Sequence, residues 1–161
     1  MRPIMQSALM AAMLAATMPA AAATRTFLTK AVMGDNSEIT LGTIAAKRGT
    51  SAGVRQFGQA LVTDHRHART EAARVARRHH IAVRTSIMPE AATERRKLMN
   101  LHGRAFDREF ARYMVEDHQK DIADFTRESR SHDPADVLNL ARATLPTLRH
   151  HLSLARALSS R

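Results

Sequence analysis

The sequence predicts an all-α protein built as a four-helix bundle. Ala, Leu, Arg and Met are abundant, whereas the 161 residues include no Trp and one Tyr, and this composition favours helix. No turn dipeptide stands between alternating apolar and polar runs, as a β-hairpin would require. Apolar residues instead recur at three- and four-residue steps along four long segments. The chain is long enough for one domain with a hydrophobic core.

The N-terminal segment has the layout of a secretory signal peptide. Arg2 precedes an apolar run over residues 7–18, and a row of small residues ends at Ala23. Small residues of this kind form the cleavage site, so we expect residues 1–23 to be removed and residues 24–161 to form a single domain. The apolar run is short for a membrane anchor. The sequence therefore predicts a periplasmic or secreted protein whose mature chain has no transmembrane segment.

The apolar stripes locate four long helices and one short one. Ser51 is predicted to cap the second long helix and Asp133 to cap the fourth, because both residue types accept hydrogen bonds from free N–H groups at a helix start. A long connection between the second and third helices is expected to contain the short helix. The predicted ranges are about 25–47, 51–80, 90–101 for the short helix, 104–130, and from about 134 to near the C-terminus.

Each apolar stripe of a long helix is interrupted by one polar residue. An inward polar side chain destabilises the fold unless it finds a partner, and these four lie at comparable depths along their helices. The sequence therefore predicts one shared metal site in the bundle core, with a polar network without metal, or misplaced helices, as alternatives. The four residues are Glu38, His65, His118 and His151.

The ligand types suggest which ion this site would bind. Three imidazoles and one carboxylate suit a single Zn, Fe, Cu, Ni or Mn ion, and four-coordinate geometry favours zinc. Four protein ligands leave no open position, so we expect a structural, storage or stress-related role in preference to catalysis. Carboxylate-bridged di-iron chemistry needs Glu-x-x-His pairs. Three residues before the histidines stand Val62, Val115 and Leu148, which cannot bind a metal.

Three aspartates lie near the predicted ligands in sequence. Asp64 and Asp117 each precede a histidine by one residue and so point about 100° away from the stripe. They are predicted to accept hydrogen bonds from ligand imidazoles or to serve as additional ligands, with surface charge pairing as the alternative. Asp107 shares a helix face with His118 but lies about 16 Å away. A helix cap, a buried acceptor and a second site remain open for it.

The chain is strongly basic, with a formal net charge of +10 that falls to +9 without Arg2. Export and the lack of interleaved aromatic residues argue against nucleic acid, and anionic envelope surfaces become the expected polyanion. The alternative function is thus a metal-free interaction module that binds such surfaces through the basic second helix. Its candidate residues are Arg74, Arg77 and Arg78, although nearby acids interrupt the basic run and favour a solvated helix face over polyanion binding.

Four motifs, taken in order, resemble the Domain of Unknown Function 4142 family. They are a Glu on the first helix, V-x-D-H on the second, F-D with M-V-x-D-H on the third and L-P-x-L-x-x-H-L on the fourth. In this chain they are Glu38, Val62–His65, Phe106–Asp107 with Met114–His118, and Leu145–Leu152. Phe110 stands where a Tyr is expected. The resemblance, over about residues 25–158, implies an exported bacterial protein, often labelled a predicted outer membrane protein. It also implies a ferritin-like bundle, in which one long crossover joins two helical hairpins, but no particular activity.

Overall fold

The computed structural model describes residues 20–160, which form five α-helices and no strand. The predicted all-α class and the short helix in the long connection are confirmed. None of the helices in this part of the chain is long and apolar enough to cross a membrane. The predicted signal peptide falls mainly on residues 1–19, outside the described residues, so its cleavage stays a prediction. The helices are α1 (Ala20–Arg48), α2 (Ala52–Arg78), α3 (Pro89–Met99), α4 (Gly103–Glu128) and α5 (Ala135–Ser159).

Of the two predicted N-terminal caps, the one for α2 is confirmed and the one for α5 is wrong. The hydroxyl of Ser51 accepts a hydrogen bond of 3.2 Å from the backbone N–H of Val54, so Ser51 caps α2 as expected. The prediction that Asp133 caps α5 is wrong, because no side chain caps that helix. The carboxylate of Asp133 instead accepts a hydrogen bond of 2.9 Å from the Thr24 hydroxyl. Asp133 thus accepts a hydrogen bond from Thr24, a residue distant in sequence, and not from the first backbone N–H groups of α5.

The long helices pack as two hairpins. Helix α1 lies along α2, helix α4 lies along α5, and α2 also packs against α5. Two glycines allow the backbones of α1 and α2 to approach closely. A Cβ added at Gly58 would lie 2.6 Å from the carbonyl oxygen of Gly42, well inside contact distance. This close approach sets the height of α1 relative to α2.

The connection between the hairpins is held against the end of α1. The guanidinium of Arg48 donates hydrogen bonds to the carbonyl oxygens of Met99 and Leu101, and both bonds are 3.1 Å long. Leu98 of α3 is fully buried in the core. Helix α4 then begins at Gly103, whose φ of +59° is a conformation that side chains with a Cβ rarely adopt. The crossover is therefore a packed part of the fold.

The core consists of two apolar clusters with buried polar side chains between them. Leu41, Phe57, Phe106 and Phe110 belong to the first cluster, and Leu28, Val32, Val75 and Val137 belong to the second. Between the clusters α1 carries Glu38, α2 carries His65, α4 carries His118 and α5 carries His151, and all four are buried. This polar layer near mid-bundle is costly unless its groups are satisfied.

Candidate metal centre

Three imidazoles from three helices meet in the polar layer. His65 on α2 is 3 % exposed, and His118 on α4 and His151 on α5 are fully buried. Their ring centroids lie 5.3 to 6.0 Å apart. One ring nitrogen from each lies within 4.8 Å of the others. The structure thus brings together three of the four ligands predicted from the sequence.

Two of these rings are fixed on their outer side by aspartates. Nδ1 of His65 lies 2.8 Å from Oδ1 of Asp35 on α1. Nε2 of His151 lies 2.8 Å from Oδ2 of Asp64 on α2. A carboxylate can only accept, so the bonded nitrogen of each ring carries the hydrogen. The opposite nitrogen of each ring then presents a lone pair to the interior.

The third ring is fixed by its own helix. Nδ1 of His118 lies 3.0 Å from the carbonyl oxygen of Met114, one turn earlier, and donates to it. Within the described residues no hydrogen-bond partner is found for Nε2 of His65, Nε2 of His118 or Nδ1 of His151. All three inward atoms are therefore acceptors, and they cannot satisfy one another.

Burial disfavours the charged form of two of these rings, His118 and His151. Desolvation first, and then the neighbouring His65 and His151, lower the pKa of His118 from 6.5 to about 3. Burial also lowers the pKa of His151, against the opposing effect of Asp64. The neutral imidazole is the form that binds a metal ion. At neutral pH His118 and His151 therefore present nitrogen lone pairs without needing to release protons.

Glu38 is the fourth predicted ligand and lies on the α1 side of the cluster. Its side chain is fully buried, and neither carboxylate oxygen has a hydrogen-bond partner among the described residues. It forms a second group of close potential ligands with Asp117 and His118, again with one atom of each within 4.8 Å of the others. Desolvation first, and then the Asp117 carboxylate, raise the pKa of Glu38 well above its usual range.

Asp35 was not among the residues predicted from the sequence. It is 8 % exposed and lies three residues before Glu38 on the same face of α1. Burial raises its pKa, and the hydrogen bond to His65 opposes that effect. The i, i+3 spacing from Glu38 was the available sign in the sequence. It would have indicated an inward carboxylate but not its partner on another helix.

Apolar residues and an open groove border the cluster. The Phe57 ring lies 5.9 Å from the His151 ring and 6.5 Å from the His118 ring, measured between centroids. On the other side, a groove of about 520 Å³ between α2 and α5 reaches Asp64 and His65. An ion at the cluster would thus have an apolar wall on one side and a route from solvent on the other.

Other predicted residues lie away from the cluster. The carboxylate of Asp107 accepts backbone hydrogen bonds of 2.8 and 2.7 Å from Thr50 and Ser51, so it fixes the turn between α1 and α2. Two of the three arginines proposed to bind polyanions form ion pairs. Arg74 pairs with Glu71, and Arg78 pairs with Asp136 at a distance of 2.8 Å. The third, Arg77, is exposed. Two of the three cations are thus already engaged with acids of the same protein.

The donor set fits a divalent transition metal. Three neutral nitrogen lone pairs and a nearby buried carboxylate are ligand types that Zn²⁺ and its neighbours in the first transition row accept. The outer nitrogen of each ring is held by a carboxylate or a carbonyl, the usual arrangement behind metal-binding histidines. The unpartnered buried atoms are the ones that an ion would satisfy.

The fold and the polar layer define an all-helical protein with a convergent tri-histidine cluster in its core. The family model for a domain of unknown function, DUF4142, matches residues 9–158, so the chain belongs to that family. No curated protein matches the sequence. The fold is similar to that in the crystal structure of a DUF305 fragment from Deinococcus radiodurans. That similarity has a TM-score of 0.75 at 19 % identity and covers 89 % of this chain and 97 % of the other.

Proposed function

We propose that this protein is an exported, ferritin-like four-helix-bundle protein that binds a transition-metal ion in its core. The proposed ligands are His65, His118 and His151, with Glu38 as the fourth. Zinc is the favoured ion, and iron, copper, nickel and manganese are the alternatives. Four protein ligands would fill a tetrahedral shell, which supports a structural, storage or stress-related role over catalysis.

One observation carries the proposal. The three inward ring nitrogens converge, and each ring has already used its N–H on an outer partner. A polar network without metal would need some of these inward atoms to donate, and none can while the rings are neutral. The oxygens of Glu38 are acceptors as well when the group is ionised. A cation satisfies the whole set, whereas a protonated Glu38 could donate one hydrogen bond and would leave at least two of the three inward nitrogens without a donor.

The finer topology and the compartment are parts of the same proposal. Two hairpins joined by one long crossover that contains α3 support a ferritin-like arrangement. The apolar run and small-residue tract of the N-terminal segment support export to the periplasm, with the outer membrane as the expected surface. Intact-mass measurement of protein from the periplasmic fraction tests the export. A chain beginning near Thr24 supports it, and a chain that keeps Met1 contradicts it.

Metal analysis of protein purified without a His tag tests the site directly. We expect about one ion per chain, lost with a strong chelator or on acidification to well below the ordinary imidazole pKa of about 6.5, because the pKa values of His118 and His151 are lowered. Metal should raise the melting temperature, because an ion bound only by the folded state stabilises it. His118→Ala should abolish both effects. Retention of one ion by that variant, or no uptake by the wild type, would refute the proposal.

A histidine outside the cluster supplies the matched control. His132 is exposed in the connection between α4 and α5, so His132→Ala removes an imidazole without touching the core. We expect this variant to keep the stoichiometry and the metal-dependent melting shift of the wild type. Equal losses in both variants would indicate adventitious binding to surface histidines.

The alternative, a metal-free module that binds anionic surfaces, has less support. Arg74 and Arg78 are paired with Glu71 and Asp136, and a cation that already has a carboxylate partner gains less from a phosphate. Replacing Arg74, Arg77 and Arg78 together with Gln should leave retention on anionic vesicles nearly unchanged. A strong, salt-sensitive loss of retention would favour the alternative instead.

A further inference from the structure

A second group of potential ligands adjoins the three imidazoles. Glu38, Asp117 and His118 each place one ligand atom within 4.8 Å of the others. Nδ1 of His118 is bonded to the Met114 carbonyl, and Nε2 faces the other two imidazoles. A single nitrogen lone pair binds one ion. The atoms of this second group that remain free for another ion are therefore carboxylate oxygens.

Glu38 has two carboxylate oxygens, and the proposed centre uses only one of them. Both of its oxygens lack a hydrogen-bond partner within the described residues, and its side chain is fully buried. An ionised carboxylate in that position is strongly destabilising unless cations or donors meet it. The ion held by the imidazoles would occupy one oxygen. The second oxygen stays without a partner among the described residues, and Asp117 lies within reach of a shared ion.

A small acidic cavity is lined by Asp117. Its volume is about 130 Å³, and five carboxylate residues but only two lysines are among those that line it. Asp121 follows Asp117 by one helical turn on α4, so both project toward the same side. Acids lining a cleft with low-dielectric walls concentrate cations there. The five acids are Asp35, Glu90, Asp117, Asp121 and Asp124.

The cavity also has room next to α1. A Cβ added at Gly34 would meet no atom within 4 Å, and Gly34 is one of the lining residues. The space lies between Asp35 on α1 and the two aspartates of α4. An ion that keeps several of its own water ligands needs such space.

We propose that Glu38 and Asp117, with Asp121 on the cavity side, form a second cation site for a divalent ion that prefers oxygen ligands, such as Mn²⁺. Glu38 would bridge the two ions, one through each oxygen. Carboxylate and water ligands suit Mn²⁺ and Mg²⁺ better than the imidazole set does. The inference rests on the proposed function only in that Glu38 would be a ligand of both sites. It makes the core a centre for two different ions.

Titration of metal-free, untagged protein tests the second site. The protein is loaded with one equivalent of Zn²⁺, and Mn²⁺ is then added while free Mn²⁺ is followed by electron paramagnetic resonance. We expect one Mn²⁺ to bind without release of zinc. Asp117→Asn and Asp121→Asn should each weaken Mn²⁺ binding at least about ten-fold and leave the zinc stoichiometry unchanged. Circular dichroism and melting curves establish that both variants fold.

A third aspartate of the same helix provides the control. Asp124 lines the cavity but is paired with Arg127, so Asp124→Asn should leave Mn²⁺ binding within about two-fold of the wild type. Displacement of zinc by Mn²⁺, absence of Mn²⁺ binding to the folded zinc-loaded protein, or equal weakening by all three substitutions would each overturn the inference.

The His65→Ala variant separates the two proposals. If it loses zinc but still binds Mn²⁺ through Asp117, both proposals stand as separate sites. If the wild type takes up no zinc and yet binds Mn²⁺ in an Asp117-dependent way, the tri-histidine proposal fails and the second site stands. If Mn²⁺ binding disappears in His65→Ala and survives in Asp117→Asn, Mn²⁺ uses the imidazoles and the second-site inference is wrong.

Discussion

Asp64 on α2 lies 2.8 Å from Nε2 of His151 on α5, and this contact decides which nitrogen of His151 faces the core. With Nε2 protonated and bonded outward, Nδ1 presents its lone pair to His65 and His118. Asp64 thus acts on the candidate site without belonging to it. It also ties α2 to α5, the pair of helices through which the two hairpins pack.

Removing that aspartate should weaken metal binding without abolishing it. In Asp64→Ala the His151 ring loses its orienting acceptor, and its two tautomers become closer in energy. We expect the affinity for zinc to fall about 10- to 100-fold, measured by competition with a chromophoric chelator. Asp107→Ala is the control, because Asp107 holds the α1–α2 turn. It should lower the melting temperature but not the zinc affinity, and the reverse pattern would contradict the assignment.

Glu94 should make the protein less stable as the pH rises. Burial, and then the Glu109 carboxylate, raise the pKa of Glu94 from 4.5 to about 7. Between these values the folded state binds more protons than the unfolded state, so stability is full below pH 4.5 and is lost as the pH rises through 7. Glu94→Gln should therefore stabilise the protein at pH 8, by at most about 3 kcal/mol, and change little at pH 4.5.

Urea unfolding at both pH values measures this difference. Glu90 is exposed on the same helix, so Glu90→Gln should have nearly the same small effect at pH 4.5 and at pH 8. A Glu94→Gln variant whose effect does not depend on pH would show that the pKa of Glu94 is the same in the folded and unfolded states.

Two glycines should respond in opposite ways to alanine. Gly34→Ala places its Cβ in open space and should stabilise α1 by about 0.5–1 kcal/mol, because glycine is a poor helix former. Gly58→Ala places a Cβ 2.6 Å from the Gly42 carbonyl oxygen and should cost about 1–3 kcal/mol through overpacking. Thermal unfolding of the two variants tests this. A destabilised Gly34→Ala would show that the cavity beside α1 is closed.

The contact between Thr24 and Asp133 should contribute to stability near the start of α1. Asp133 is 9 % exposed and accepts the Thr24 hydroxyl. Thr24→Val leaves that carboxylate without this donor and should destabilise the fold by about 1–3 kcal/mol. Thr26 bonds only within α1 and is exposed, so Thr26→Val should cost much less. Equal melting temperatures for the two variants would show that water replaces the hydroxyl at no cost.

The apolar periodicity determined the helices and the direction in which most buried side chains point. His65 and His118 were identifiable as inward residues because each interrupts a stripe, and rotation about a helix axis follows directly from spacing. The cap at Ser51 was predictable for the same local reason. The cap at Asp133 was not, since its carboxylate is used by Thr24, which lies 109 residues away in the chain.

By itself, therefore, the sequence determined which residues face the core, and the tertiary structure decided which of them meet. Spacing gives the angle of a side chain around its helix, but the height of one helix against another depends on contacts such as that of Gly42 with Gly58. The height of α1 against α2 brings Asp35 to His65, and the packing of α2 against α5 brings Asp64 to His151. The packing of α1 against α4 places Glu38 beside Asp117 as well as His118. These pairings join residues on different helices, and no pattern within a single helix encodes them.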